Sequence, residues 1–256
     1  MNLKSYNNQV VWIIGASSGI GAALAEVFVS LGARVAISAR RADALKKVAD
    51  DSGAQWVLPL DVTEITSIRS ASEELQRQAG QIDRIICLSG IYAPMQLDQL
   101  DLDELRGIVE VNLLGTFNLV SALYPFLIEQ GQGQLAFCAS ISGYTGLPYS
   151  QPYASTKAAM INLTESLQIE AVGTGVDIKI ISPGFVRTPL TDKNQFKMPF
   201  IVEPEVAANR IAKGLKRSGF EIVFPRRFAL LLKLIGVLPY WMRLKLLQQG
   251  KKKLEI

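Results

Sequence analysis

The chain has 256 residues, but none of them is histidine and only two, Cys87 and Cys138, are cysteine. Histidine is the side chain whose ordinary pKa lies near neutral pH, so acid–base chemistry here must use another group. Two cysteines form no disulfide framework, which indicates a reducing compartment. We expect both to be buried packing residues, and we predict no metal site.

Long hydrophobic runs are also missing where a targeting or membrane segment would need them. The apolar run after the polar start, VVWII, is only about five residues long, which is too short for a signal peptide. Near the other end, Lys233, Pro239 and Arg243 interrupt an apolar stretch, so we predict no transmembrane span there. Hydrophobic residues make up 49% of the chain, which favours a large core over disorder. The prediction is a cytoplasmic protein.

Short apolar runs alternate with helix-like stretches along most of the chain. The predicted strands are 10–14, 34–39, 55–60, 83–89, 133–140, 176–182 and 220–224. The predicted helices are 19–31, 42–51, 64–79, 101–130, 153–172 and 203–217. This order predicts an α/β fold, a doubly wound parallel sheet of about seven strands with helices on both faces. We assign residues 1–225 to one catalytic domain and 226–256 to a C-terminal helical extension of it.

A glycine-rich loop joins the first strand to the first helix. It reads Gly15-Ala16-Ser17-Ser18-Gly19-Ile20-Gly21. Glycine permits a tight turn and a close approach of the backbone to a phosphate, and the free N–H groups at a helix start attract anions. Because it follows a strand, opens a helix and begins a βαβ series, the loop predicts a dinucleotide site.

Tyr153 and Lys157 are the candidates for proton chemistry. They stand four residues apart in a predicted helix, so they share one face. The ordinary pKa of tyrosine, about 10, makes it a poor base at neutral pH. A nearby cation favours the phenolate, so we expect Lys157 to lower the pKa of Tyr153. Such a tyrosine can replace histidine as an acid–base group.

The glycine loop and the Tyr-x-x-x-Lys pair together resemble the short-chain dehydrogenases/reductases, over about residues 8–225. Ser140 lies 13 residues before Tyr153, as in that family, and Asn112 in VNLLGTFN matches its catalytic asparagine. Asp61-Val62 and Pro183-Gly184 also match. The G-x-x-x-G-x-G spacing resembles the simple single-domain branch. The chain departs from the family pattern in two places: Ile14 replaces the usual threonine, and 87–90 read Cys-Leu-Ser-Gly in place of Asn-Asn-Ala-Gly.

The resemblance implies a Rossmann-type fold and a role for each matched residue. Tyr153 would exchange a proton with the substrate oxygen, Ser140 would hydrogen-bond that oxygen, Lys157 would hold the nicotinamide ribose, and Asn112 would hold a water connecting Lys157 to solvent. The implied cofactor-binding residues are Gly15, Ser17, Ser18, Gly19, Ile20, Gly21, Arg40, Arg41, Asp61, Val62, Ser89, Gly90, Tyr153, Lys157, Pro183, Gly184, Val186 and Thr188.

The end of the second predicted strand bears on which dinucleotide is used. The usual acidic position, which contacts the ribose of NAD, is Ala39 here, and Arg40 and Arg41 follow it. An arginine at this place pairs with the 2′-phosphate of NADP. We therefore expect NADP(H) to be preferred and NAD(H) to remain possible, with Arg40 as first candidate and Ser17 and Arg41 as helpers. The alternative is a solvated pair of arginines.

The C-terminal stretch 226–256 carries eight Lys or Arg and one acid, a charge of +7, whereas residues 1–225 carry −3. It predicts two short amphipathic helices broken near Gly236–Pro239. Two interpretations stay open. In the first, the stretch packs as a cap over the substrate pocket or against another subunit. In the second, it lies as a peripheral element on a membrane surface. Nucleic acid is not a predicted partner.

These patterns favour an NADPH-dependent carbonyl reductase or alcohol dehydrogenase acting on a hydrophobic ketone or secondary alcohol. The rival hypotheses are a non-catalytic nucleotide-binding sensor or scaffold, and a membrane-binding module. We expect segments 91–98, 141–149 and 185–202 and the C-terminal tail to set specificity. We interpret the irregular stretch 183–202 as a mobile substrate lid, and the alternative is an ordinary surface loop. The resemblance also implies a homodimer or homotetramer.

Overall fold

The structure is a computed structural model that describes residues 5–194, 196 and 198–254. Seven parallel strands form one sheet: β1 Val10–Ile14, β2 Arg34–Ser38, β3 Trp56–Val57, β4 Arg84–Cys87, β5 Gly133–Cys138, β6 Val176–Pro183 and β7 Glu221–Phe224. Their order is β3-β2-β1-β4-β5-β6-β7. The predicted doubly wound sheet is therefore confirmed. The strand order reverses between β1 and β4, and ligands bind at such a point, beyond the carboxyl ends of the strands.

Helices cover both faces of the sheet. They are α1 Gly19–Ser30, α2 Ala42–Ser52, α3 Ile65–Ala79, α4 Leu102–Val109, α5 Gly115–Gln130, α6 Tyr153–Glu170, α7 Pro204–Leu215, α8 Arg226–Val237 and α9 Tyr240–Leu254. Side chains alternate along β1, so Val11 and Ile13 pack into one core cluster and Trp12 into the other. Both faces are buried, which explains why the strands read as continuous apolar runs.

The third strand is much shorter than predicted. The apolar pattern predicts a strand over 55–60, whereas β3 has two residues. Leu58 N and Leu60 N still donate to carbonyl oxygens of Ile37 and Ala39, at 3.0 and 3.2 Å. Pairing with β2 therefore continues beyond the two residues of regular strand, and Pro59 is tolerated because this is an edge strand.

The single helix predicted over 101–130 contains an irregular turn. A π-helical segment, Glu110–Leu114, separates α4 from α5. It contains Asn112, whose side chain is buried. Turns of this kind interrupt helices frequently at functional sites. The segment Leu102–Gln130 has the length and mean hydropathy of a membrane span. Because its own side chains Leu119, Leu123 and Leu127 are packed in the hydrophobic core, we interpret this segment as a core helix.

The C-terminal stretch forms two helices, α8 and α9. They are separated at Leu238 and Pro239, within the region where the sequence predicts a break. Ala229 and Leu232 of α8 are buried and share a cluster with Ile141. Ile141 directly follows the predicted catalytic Ser140. The tail is thereby packed beside the carboxyl edge of the sheet.

Candidate active site

A cavity of about 520 Å³ opens at the carboxyl edge of the sheet. Its walls come from the glycine loop, the segment after β5, the start of α6, the segment after β6 and both tail helices. The predicted residues among its lining are Gly15, Ser18, Gly19, Ile20, Gly21, Gly90, Ser140, Tyr153, Lys157, Pro183, Gly184, Val186 and Thr188. The predicted residues outside its lining are Ser17, Arg40, Arg41, Asp61, Val62, Ser89 and Asn112.

The glycine loop turns so tightly that there is no room for a side chain at two of its glycines. Gly15 has a φ of +94°, and a Cβ there would lie 2.6 Å from Ser89 N. A Cβ at Gly21 would lie 2.3 Å from Gly15 O. Helix α1 follows directly, and the Ser18 side chain makes no capping hydrogen bond. Residues 18–21 at the start of α1 line the cavity, and free N–H groups at a helix start attract anions.

Ser140 and Tyr153 come together from the end of β5 and the start of α6. Ser140 Oγ accepts hydrogen bonds from Ser142 N at 3.2 Å and Ser142 Oγ at 3.0 Å, and donates to Pro183 O at 3.4 Å. These bonds hold the hydroxyl at the cavity wall. A hydrogen bond between the Ser140 and Tyr153 side chains acts to lower the pKa of Tyr153. The two predicted hydroxyls therefore share one site.

The predicted direction of the Tyr153 pKa shift is wrong for this structure. Burial of the hydroxyl raises that pKa, the neighbouring Cys138 raises it further, and the Ser140 bond only partly offsets this. The Lys157 ammonium lies 5.5 Å from the centre of the Tyr153 ring, and its Nζ donates to Cys138 O at 2.7 Å. Burial also lowers the pKa of Lys157. Tyr153 is thus protonated at neutral pH, the form that can donate a proton.

Asn112 is fixed by its neighbours. Its Oδ1 accepts from Ile91 N at 2.8 Å, and its Nδ2 donates to Ile91 O at 2.9 Å and to Thr156 Oγ1 at 3.3 Å. A Cβ at Gly90 would lie 3.4 Å from Asn112 Oδ1 and 3.5 Å from Lys157 Nζ. The amide and the ammonium therefore face the same small space beside Gly90. That space suits the water-mediated connection predicted for Asn112.

Two arginines flank the glycine loop outside the cavity. Arg40 Nη1 lies 3.9 Å from Asp61 Oδ2, and Arg41 Nη2 donates to Ser17 Oγ at 3.4 Å. The Arg40 side chain is 59% exposed, so it is free to reorient. Asp61 Oδ1 also accepts from Thr63 N and Thr63 Oγ1. The predicted adenosine-side residues thus form two polar pairs, Arg40 with Asp61 and Arg41 with Ser17 of the loop.

The residues fit the dinucleotide that the sequence predicts. Gly15 and Gly21 form a turn that a side chain would fill, the start of α1 is open to an anion, and Arg40 and Arg41 stand next to it. Among the described residues, no group of three or more His, Cys, Asp or Glu could hold a metal ion. Cys87 and Cys138 are buried, as predicted.

The sequence interpretation expected segments 91–98 and 185–202 to set specificity, but it did not predict the contacts that join them. Tyr92 packs edge-on against the Tyr153 ring, with centres 5.2 Å apart. Its Oη donates to Asn194 Oδ1 at 2.7 Å, and Lys193 Nζ donates to Tyr92 O. The sequence alone does not predict this contact, because it joins segments about a hundred residues apart.

The tail helices form a wall of the cavity. Their lining residues are Phe228, Leu231, Leu232, Ile235, Leu246 and Leu247. The apolar spacing of the tail predicts amphipathic helices but not their location. The sequence left two interpretations of the tail open, a cap and a membrane-surface element. The helices lie where the first interpretation puts them, over the pocket, and their outer surface is exposed.

Comparison with known proteins agrees with this geometry. The family model for short chain dehydrogenases matches residues 9–198. An uncharacterized oxidoreductase of Myxococcus xanthus is 33% identical, over 89% of this chain and 91% of its own. The 3-oxoacyl-[acyl-carrier-protein] reductase of Salmonella typhimurium is 31% identical, over 73% of this chain and 77% of its own.

A solved structure gives the same result. A short-chain type dehydrogenase/reductase from Mycobacterium marinum superimposes with a TM-score of 0.77 at 27% identity, covering 87% of this chain and 96% of that one. The family match begins one residue before β1 and includes the glycine loop, Ser140, Tyr153 and Lys157, but ends before the tail. The chain therefore belongs to the short-chain dehydrogenases, a family of oxidoreductases that use NAD(P)(H).

Proposed function

We propose that this protein is an NADPH-dependent carbonyl reductase, or the corresponding alcohol dehydrogenase, for a hydrophobic ketone or secondary alcohol. The observation that supports this most is the composition of one cavity. It contains Ser140, Tyr153 and Lys157 beside the glycine loop, and its far walls are apolar side chains. A carbonyl at the hydroxyl groups would leave its chains among those walls.

In the proposed mechanism, the bound nicotinamide supplies hydride to the carbonyl carbon or accepts it from the alcohol. Ser140 Oγ hydrogen-bonds the substrate oxygen and stabilises the charge that develops on it. Tyr153 donates its proton to that oxygen in reduction and accepts it back in oxidation. Tyr153 is protonated at neutral pH, so its proton is available to the substrate oxygen in reduction.

Lys157 and Asn112 have supporting roles in this proposal. Lys157, with its ammonium beside the Tyr153 ring, holds the ribose of the cofactor and stabilises a phenolate when the proton leaves. Asn112 holds the water that returns a proton from solvent through the space beside Gly90. A rigid π-helical turn positions its amide.

The proposed preference for NADP(H) rests on Arg40 and Arg41. The Arg41 guanidinium contacts Ser17 of the glycine loop, and the Arg40 guanidinium lies near Asp61. Arginine pairs bidentately with phosphate, and its charge matches the extra phosphate of NADP. NAD(H) has no group for them to bind there.

We also propose a homodimer or homotetramer in the cytoplasm. The π-helical turn and α5 expose Leu114, Phe117 and Ile128 on the side away from the sheet. An apolar helix face of this kind is suited to packing against a second copy.

The predicted lid, 183–202, lines the cavity through Phe185, Leu190 and neighbours, so it is placed to contact substrate.

A cofactor-oxidation assay tests the proposal. NADPH oxidation is followed with a series of methyl ketones of increasing chain length, with NADH in parallel. We expect the specificity constant to rise with chain length and NADPH to be preferred. Rates that fall with chain length would contradict the hydrophobic substrate. A preference for NADH would contradict the arginine assignment and leave the proton chemistry standing. NADPH binding with no turnover of any ketone would favour a sensor.

A further inference from the structure

The outer surface of α8 and α9 exposes an unusual number of large apolar side chains. Val237 is 81% exposed, Trp241 73% and Tyr240 71%. The other exposed apolar residues of these helices are Leu230, Leu231, Leu234, Met242, Leu244 and Leu246. We call this set the tail surface. Large exposed apolar patches on soluble proteins often mark a site that binds a partner or a membrane.

The two helices of the tail surface also carry exposed cations. Arg226, Arg227 and Lys245 are exposed, and the part of the chain that the structure describes offers them no carboxylate partner. Lys233, by contrast, pairs with Glu221, and Arg243 donates to Gly236 O at 2.8 Å. The first three are therefore available to an external anion. The sequence adds Lys251, Lys252 and Lys253 at the end of α9.

The tail surface is continuous with the mouth of the cavity. Leu231 and Leu246 belong to both, since each lines the cavity and each is about half exposed. Their neighbours Leu232 and Leu247 also line the cavity and are less exposed. An apolar molecule lying against the tail surface could therefore enter between the two helices without crossing water.

We propose that the tail surface docks on an anionic phospholipid bilayer. Exposed leucines, a tryptophan and a tyrosine, bordered by arginine and lysine, have the composition that binds at the lipid–water boundary. The charge supports this choice, because the tail carries +7 and the remainder of the chain −3. The basic tail would face anionic headgroups, while the acidic body would remain in water.

A second copy of the chain fits this surface less well. A two-fold interface places a patch against the same patch of the partner. The cations of one tail would then face the cations of the other, and like charges in contact oppose association. The apolar face of α5 carries no such concentration of positive charge and is the better surface for a second copy.

Docking would define how substrate arrives. With the cavity mouth against the bilayer, a ketone bearing a long acyl chain could pass from the membrane to Tyr153. This second part rests on the proposed function; the docking itself does not. Membrane binding is therefore measured without turnover, and turnover is measured with a short soluble ketone.

The experiment is sedimentation of the full chain with vesicles. One set is pure phosphatidylcholine, and the other is equal parts phosphatidylcholine and phosphatidylglycerol. We expect binding to the anionic vesicles that weakens as salt increases. Replacing the three free cations together (R226Q, R227Q and K245Q) should weaken binding about a hundredfold. Replacing Trp241 and Leu244 by alanine should weaken it more than about tenfold.

Matched controls separate docking from folding. K46Q with K47Q removes two exposed cations from α2, and V172A removes an exposed apolar side chain from the body. Both should bind vesicles like the unchanged chain. None of the substituted side chains lines the cavity. All variants should therefore turn over the short ketone at an unchanged rate.

Several results would overturn the proposal. One is no sedimentation with anionic vesicles at low salt while the short ketone is still reduced. Another is equal weakening by the α2 control, which would indicate nonspecific charge attraction. A third is loss of a dimer by W241A/L244A in solution, which would assign the surface to a second copy. Binding without any ketone turnover would support docking and contradict the proposed reaction.

Discussion

Replacing Gly21 by alanine tests how the glycine loop is built. The new Cβ would lie 2.3 Å from Gly15 O and 2.8 Å from Ala16 Cα. Because both are backbone atoms, no side chain can rotate away, and the loop must retreat by roughly 1 Å to reach ordinary contact. Overpacking of this kind costs about 3 kcal/mol. In a chain of this size, that corresponds to a Tm lower by about 6–12 °C.

The same shift should disturb the anion site, because Gly21 lies in the first turn of α1. We expect the Kd for NADPH, measured by fluorescence titration, to rise at least tenfold in G21A. The control is G107A in α4, where a new Cβ meets nothing within 4 Å. Alanine there should raise Tm slightly because it favours helix. An unchanged Tm and NADPH affinity in G21A would refute the reasoning.

Three further predictions concern the cofactor, alkaline stability and the substrate. Replacing Arg40 and Arg41 by alanine should raise KM for NADPH more than tenfold and leave KM for NADH within about twofold, measured by steady-state kinetics; equal effects on both would contradict the assignment. Burial raises the pKa of Tyr6 to about 12, from 10.0. The contribution of this pKa difference to the free energy of unfolding is thus complete below pH 10, and about 2–3 kcal/mol is lost as pH rises towards 12. Tyr6→Phe should flatten this part of the plot of unfolding free energy, measured with urea, against pH. An unchanged slope would contradict the prediction. Leu247→Trp should raise KM for long ketones more than for short ones, since it narrows the cavity; equal changes would place Leu247 outside the substrate path.

The sheet could be predicted from the sequence because its strands are buried on both faces. Runs such as Val10–Ile14 are apolar throughout, and glycine or polar residues end them. The short β3 could not be predicted from hydrophobicity, since Leu58 and Leu60 continue the apolar pattern past Pro59. The π-helical turn at Asn112 also leaves no clear signal, because it shifts helical periodicity by a single residue.

The candidate site was predictable only as far as residue spacing determines it. A spacing of four residues along one helix places Tyr153 and Lys157 on the same side, as expected. The direction of the Tyr153 pKa depends on burial, which is a property of the whole fold, so the prediction of a lowered value failed. The tail wall and the Tyr92–Asn194 bond likewise arise from contacts between distant segments.

The most direct test of the central claim is the rate of NADPH-driven ketone reduction by Tyr153→Phe. Phenylalanine keeps the ring beside Lys157 and Tyr92 and removes only the hydroxyl. Tyr124→Phe, on α5 and outside the cavity, is the control. We predict that Tyr153→Phe binds NADPH normally and loses about 10²–10⁴-fold in kcat, while Tyr124→Phe keeps full activity. Reduction by Tyr153→Phe within a few-fold of the unchanged chain would contradict Tyr153 as the proton donor.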